Sequence, residues 1–152
     1  MSIDPAIEGP TRKLFGHALR AEFEDFQKTL MALDGEKLTS AMQLAANIAA
    51  VAVIDACGGE SPSDSDLREV AATISEAEDR YSLTVDELHT YLAKGVFGGE
   101  ALDQYFAPDD VVRLPFVLAA GVLGAYRDEG EDWWEYLDQI EAAIEAAPEA
   151  SG

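Results

Sequence analysis

The sequence is poor in the residues from which most enzymatic and metal chemistry is built. It has one cysteine and two histidines. With Cys57 alone no intrachain disulfide can form, which suits a reducing compartment. In its apolar run the thiol is expected to be a small buried hydrophobe. Zinc-type sites gather His and Cys because borderline cations favour nitrogen and sulfur ligands, and His17 and His89 lie far apart in no ligand spacing. There is no GxxxxGK[ST] loop to cradle a phosphate, no GxGxxG after a strand and no GxSxG elbow. Carboxylates are so abundant that no pair stands out as an acid and base. These absences point away from an enzyme.

Positive charge is scarce as well. Ten Lys and Arg face thirty Asp and Glu, a formal charge of -20. A polyanion gains nothing from phosphate neutralisation and is repelled by anionic bilayers, so nucleic acid and membrane surfaces are excluded as partners. A basic protein segment or a divalent cation remains, beside a plain role of the charge in solubility. Long hydrophobic runs are missing too. Ala41 to Cys57 falls short of the roughly 20 residues that span a bilayer and is interrupted by Gln43, Asn47 and Asp55. The opening MSIDPAIEGP carries neither a basic start nor an apolar stretch, so no signal peptide is expected and the protein is placed in the cytoplasm. No useful length of apolar–polar alternation occurs, which leaves an all-α fold.

What is present is helical periodicity. Residues 1–10, with Pro5, Gly9 and Pro10, are expected to be a flexible lead-in to one domain over 11–148. Phe15, Leu19, Phe23, Phe26, Leu30 and Leu33 recur every three or four residues, predicting one amphipathic helix closed by Asp34-Gly35. Residues 38–57 carry Ala, Leu, Ile and Val on every face. This predicts a buried central helix at 41–54 with Asn47 inside the core. Gly58-Gly59 ends it, and Ser61-Pro62 starts the next helix, with Ser61 as cap and Asp64 in the first turn. Thr84 and Glu87 form a capping box, with Leu83 placed to staple onto Leu88. That helix should end near Gly95, with a short turn following at 100–106. Residues 108–127 form a second apolar helix, where Pro115 predicts a kink or break near Leu114. An amphipathic last helix runs through Trp133, Leu137, Ile140 and Ile144 to Pro148. The sum is a bundle of about six helices.

An apolar helix, a Gly-Glu loop and an acidic helix start occur twice, at 51–67 and 122–137. Gly59-Glu60 and Gly130-Glu131 align at an offset of 71 residues. Oxygen-rich clusters are what hard cations such as Ca²⁺ or Mg²⁺ require, and Asp55, Glu60, Asp128 and Glu131 are the candidate ligands. The spacing is not that of an EF-hand. Acids at helix starts also complement the helix dipole, so a purely structural role competes with the cation site.

At these residues, Asp55-Ala56-Cys57-Gly58-Gly59-Glu60 and Asp128-Glu129-Gly130-Glu131, the sequence resembles the tellurite-resistance TerB-like family. That family's motif is an apolar helix ending in Ala-Asp-Gly-Glu, a few small residues and an acidic helix start, often present twice. Both copies here are longer than the family's form. The resemblance implies an all-α bundle, an acidic patch for a divalent metal, stress-response or membrane-linked assemblies, and no enzyme activity. The functional expectation is a non-catalytic acidic interaction module, stress-related and able to hold a divalent cation. The alternative is a small-molecule binding protein with an apolar pocket between 41–57 and 114–126. Within the last helix Trp133 should face the core and Trp134 the surface. The surrounding acids oppose self-pairing there, so a monomer is expected in which Trp134 contacts a basic or apolar partner or rests against a neighbouring helix of its own chain.

Overall fold

The structure, a computed structural model, describes residues 3–77 and 84–146. Those residues form seven α-helices and no strand. In chain order they are α1 (Pro5–Leu19), α2 (Phe23–Met31), α3 (Gly35–Ala56), α4 (Asp64–Ala77), α5 (Val85–Thr90), α6 (Pro108–Tyr126) and α7 (Trp133–Ala146). A π-helical segment, Tyr91–Val96, continues α5, and a 3₁₀ turn, Leu102–Gln104, precedes α6. The fold is an all-α bundle.

The central position belongs to α6. Every residue from Leu114 to Leu123 is buried, and the helix packs against α3, α1, α4 and α7. Of the kink or break expected near Leu114, the break does not occur: α6 continues through Pro115. An interior proline costs about 3 kcal/mol. Burying neighbours such as Leu114, Phe116 and Leu118 returns about 1.5–3 kcal/mol each, so helix and proline coexist. The helix at 41–54 is a core helix on one side only. Ala41, Ala45, Ile48, Ala49, Ala52 and Val53 are buried against the bundle, while Gln43 and Asn47 are exposed. Asn47 is therefore not a core amide. By length and composition alone α3 can cross a membrane; in the bundle its apolar face packs on α6, α1 and α7.

The N-terminal third departs most from expectation. Residues 5–10 are helical, because Asp4 accepts the Ala6 amide and Pro5 occupies the first turn, where its missing donor costs nothing. The single helix predicted from Phe15 to Leu33 is two helices, divided at residues 20–22. Ala21 there has φ 57°, a left-handed backbone. The sequence spacing does not betray this turn, because Phe15 before it and Phe26 and Leu30 after it reach the same core, while Phe23 beside it is 51% exposed. Phe26 meets Phe116 edge to face, with ring centroids 6.4 Å apart. Asp34-Gly35 does not close a helix. Asp34 accepts the Lys37 amide and caps α3, whose first residue is Gly35.

Other boundaries are closer. Gly58 and Gly59 have φ of 80° and 87° and end α3 as expected. The cap of α4 is Ser63 rather than Ser61: its hydroxyl accepts the Asp66 amide, and Asp66 accepts the Ser63 amide in return. The Thr84–Glu87 capping box is present. Leu83 and Pro148 lie outside the described residues.

The left-handed turn yields a stability prediction. An L-residue with a Cβ pays roughly 1–2 kcal/mol in this conformation, while glycine's extra chain entropy costs about 0.5–1 kcal/mol. Ala21→Gly is therefore expected to stabilise the protein by about 0.5–1 kcal/mol. Urea unfolding that shows a lower midpoint for the variant would refute this account of the turn.

Candidate functional site: an acidic corner and the outer face of α7

The last turn of α3, the loop before α7 and the first turns of α7 meet at Tyr136. Its side chain is buried at the foot of α7 and its hydroxyl donates to Asp55 Oδ2 at 2.8 Å. Burial first, then this bond and the charges of Asp128 and Glu131, push the phenol well above its usual range. Three of the four candidate ligands, Asp55, Asp128 and Glu131, thus act on one hydroxyl. Glu60 is exposed and makes no bond among the described residues.

The acids of this corner are already employed in holding the backbone. Glu131 accepts the Asp128 amide and the Gln139 side-chain amide. Glu135 accepts the Asp132 amide. Arg127 donates to the Gly124 and Glu131 carbonyls and ties the end of α6 to the loop. Gly130, at φ 83°, supplies the left-handed position that lets the loop turn. On the first loop, Asp64 receives His89 at 2.7 Å, and Asp66 is spent on the Ser63 cap. Helix N-termini present free amides and positive dipole ends, and carboxylates answer both.

Above this corner Trp133 and Trp134 divide as expected. Trp133 is half-buried and packs on the core beside Gly16. Trp134 is 44% exposed and meets Trp133 edge to face at 5.7 Å. Helical spacing puts Asp138 one turn beyond Trp134 with Glu135 adjacent, and Glu131 lies in the loop just before α7. The outer face of α7 is therefore an indole set among carboxylates.

A second charged cluster pins α7 to α1. Arg12 bonds Glu8 at 2.6 Å on its own helix, and Asp138 at 2.6 Å and Glu141 at 2.8 Å across the interface. Glu141 is buried. Burial and the neighbouring Glu8 charge push its carboxyl up to about 7, against the pull of Arg12.

One convergence was invisible in sequence. His17 Nδ1 lies 2.9 Å from Glu22 Oε1, and Asp25 joins them, with one ligand atom from each within 4.8 Å of the others. On a continuous helix residues 17 and 22 would stand roughly 140° apart and about 7.5 Å along the axis. The turn at Ala21 brings them together. Arg20 binds the same Glu22 oxygen at 2.9 Å, and His17 and then Arg20 hold the Glu22 carboxyl below its usual range. A cation there would have to displace Arg20, so the cluster acts as the lock of the turn.

Between the apolar helices of the alternative reading, Ala56, Cys57, Val70 and Tyr126 line a cavity of about 140 Å³ with Asp66 and Glu69. Ligand pockets usually start near 300 Å³. Burial, then Asp66 and Glu69, raise the Cys57 thiol above its usual range. Fold and site together define an all-α bundle with an acidic, tryptophan-bearing face. No family model, no curated protein and no solved structure matches the chain.

The Glu141 pair gives a pH prediction. A carboxyl whose folded pKa is raised binds its proton more tightly when folded. Its contribution is complete below the ordinary value of 4.5 and is lost as pH rises through about 7. The stability gap between the parent and Glu141→Gln should therefore move in the parent's favour as pH falls from 8 to 5. A gap constant over that range in thermal unfolding would rule the account out.

Proposed function

We propose that this chain is a non-catalytic, cytoplasmic interaction module that takes a basic protein segment along the outer face of α7. The observation that carries the reading is Trp134, 44% exposed and flanked by Glu131, Glu135 and Asp138. An exposed indole is a preferred anchor of protein contacts, and charged residues around it set the partner's sign. The surplus of thirty acids over ten bases extends that field over the whole surface and favours encounter with cations. Like charge opposes pairing of two copies through this face, so the partner is a different chain. The resemblance to the TerB-like family supports the same class of role, an acidic helical module of stress-response assemblies.

A second reading has its own support. Asp55 accepts the Tyr136 hydroxyl and the charges of Asp128 and Glu131 act on it, and a hard cation such as Ca²⁺ or Mg²⁺ would be drawn to negative charge of this kind. Calorimetric titration with Ca²⁺, Mg²⁺ and Mn²⁺ separates the two. Saturable heat lost in Asp55→Asn and Glu131→Gln supports the cation; millimolar ion without heat removes it and leaves the peptide reading standing.

The main test is a titration of tryptophan fluorescence with an amphipathic Lys/Arg-rich peptide. Saturable binding is expected, weakened by added salt because the rim is electrostatic. Trp134→Ala should cost at least about 2 kcal/mol, some thirtyfold in Kd, as central aromatic anchors do. Binding that is indifferent to Trp134→Ala, or none at physiological salt, would defeat the proposal. So would a tight dimer at low salt that dissociates on the same substitution.

A further inference from the structure

The few cations of this chain are not scattered evenly among its acids. Among the described residues Arg12, Arg20, Arg68, Lys94 and Arg113 each pair with a carboxylate. Arg127 is bound to backbone carbonyls. Lys13, Lys28 and Lys37 make no ion pair there. With acids three times as numerous as bases, three ammonium groups left unanswered call for a reason.

All three line one groove of about 410 Å³, where the first half of α1, the last turns of α2 and the first turn of α3 come together. Thr29 adds a hydroxyl, Pro10 and Leu33 form part of an apolar floor, and no acidic residue lines it. Its size lies within the range of small-molecule sites. The end of α3 is not the source of attraction, since Asp34 already takes the Lys37 amide. The charge is that of the side chains. Ammonium groups on flexible stems bind compact anions as point charges, phosphate above all.

We propose that this groove binds a soluble phosphorylated small molecule, its phosphate held by Lys13, Lys28 and Lys37 and its less polar part resting on Pro10 and Leu33. The break at Ala21 makes the site possible. By turning α2 back beside α1, it brings Lys28 to Lys13 from fifteen residues away in sequence. The groove is distinct from the α7 face and does not depend on what binds there. A phosphate could also belong to a lipid headgroup. A chain of charge -20 is repelled by an anionic bilayer, so the soluble ligand is the one expected.

The test uses the full chain with inorganic pyrophosphate as probe, followed by calorimetry and by amide chemical shifts at about 50 mM salt, where screening is modest. Saturable binding is expected, with shifts concentrated at Thr29, Leu33 and Lys37. Replacing Lys13, Lys28 and Lys37 together by Gln should weaken it at least about tenfold, or 1.4 kcal/mol, with the helical circular dichroism unchanged. Arg113→Gln, which removes a paired cation outside the groove, should leave it intact. No saturable shift by about 10 mM, a concentration far above useful affinity, overturns the proposal. Binding unaffected by the triple substitution does the same. Sedimentation with phosphatidylglycerol–phosphatidylcholine vesicles supplies the last arm. Capture by vesicles without pyrophosphate binding would assign the lysines to a bilayer and overturn the soluble ligand.

Discussion

The burial of α6 on all sides is the constraint on which the rest of this bundle depends. A helix buried from Leu114 to Leu123 needs apolar neighbours around its whole circumference, and α1, α3, α4 and α7 each supply a face. Their own amphipathic patterns follow from that duty. The same demand absorbs a proline in mid-helix and brings α1 so close to α6 that a side chain at Gly124 would press on Leu19, 3.0 Å from the added carbon. It also explains why α2 must turn back. Phe26 reaches Phe116 only because the chain reverses its course at Ala21.

Around this neutral centre lies an acidic shell with two distinct duties. One part is structural: Asp4, Asp34, Asp66, Glu87, Glu131 and Glu135 accept backbone amides at helix starts or in the turns before them. With seven helices among the described residues and few cations in the sequence, carboxylates answer the free amides and positive dipole ends. The other duty is electrostatic: Glu131 and Glu135, while holding backbone amides, and Asp138, while paired with Arg12, place negative charge about Trp134 on α7. The positive charge is divided the same way. Arginines lock elements together, Arg12 across α1 and α7 and Arg20 at the Ala21 turn, whereas three lysines are left in one groove. Arginine's rigid fork suits it to fixed pairs, and the lysine's mobile point charge suits it to a ligand that comes and goes.

Much of the fold was legible because it depends on local rules. Periodicity gave the helical class and the extent of α3, α6 and α7. Capping chemistry gave the Thr84–Glu87 box, and glycine gave the end of α3. The split of Trp133 and Trp134 followed from the 100° step between helical neighbours. The candidate acids were half legible. The repeated Gly-Glu loop pointed to Asp55, Asp128 and Glu131, which do share a neighbourhood, but the neighbour that joins them is Tyr136, and nothing in its sequence context marks it.

Composition and spacing by themselves determined that this chain is helical, acidic and without the motifs of the common catalytic sites. Each of those follows from residue identity or from contacts within one turn of helix. Tertiary structure alone decided which apolar helix is central, since α3 and α6 read almost alike and only the packing exposes Asn47 on one and buries every face of the other. It decided as well that Phe15 to Leu33 is two helices. A hydrophobic stripe continues unchanged through a reversal when both arms reach the same core, so the periodicity is blind to the turn at Ala21. The Lys13–Lys28–Lys37 groove and the His17–Glu22 lock follow from that turn, because proximity between distant residues is set by how helices pack and leaves no periodic trace along the chain.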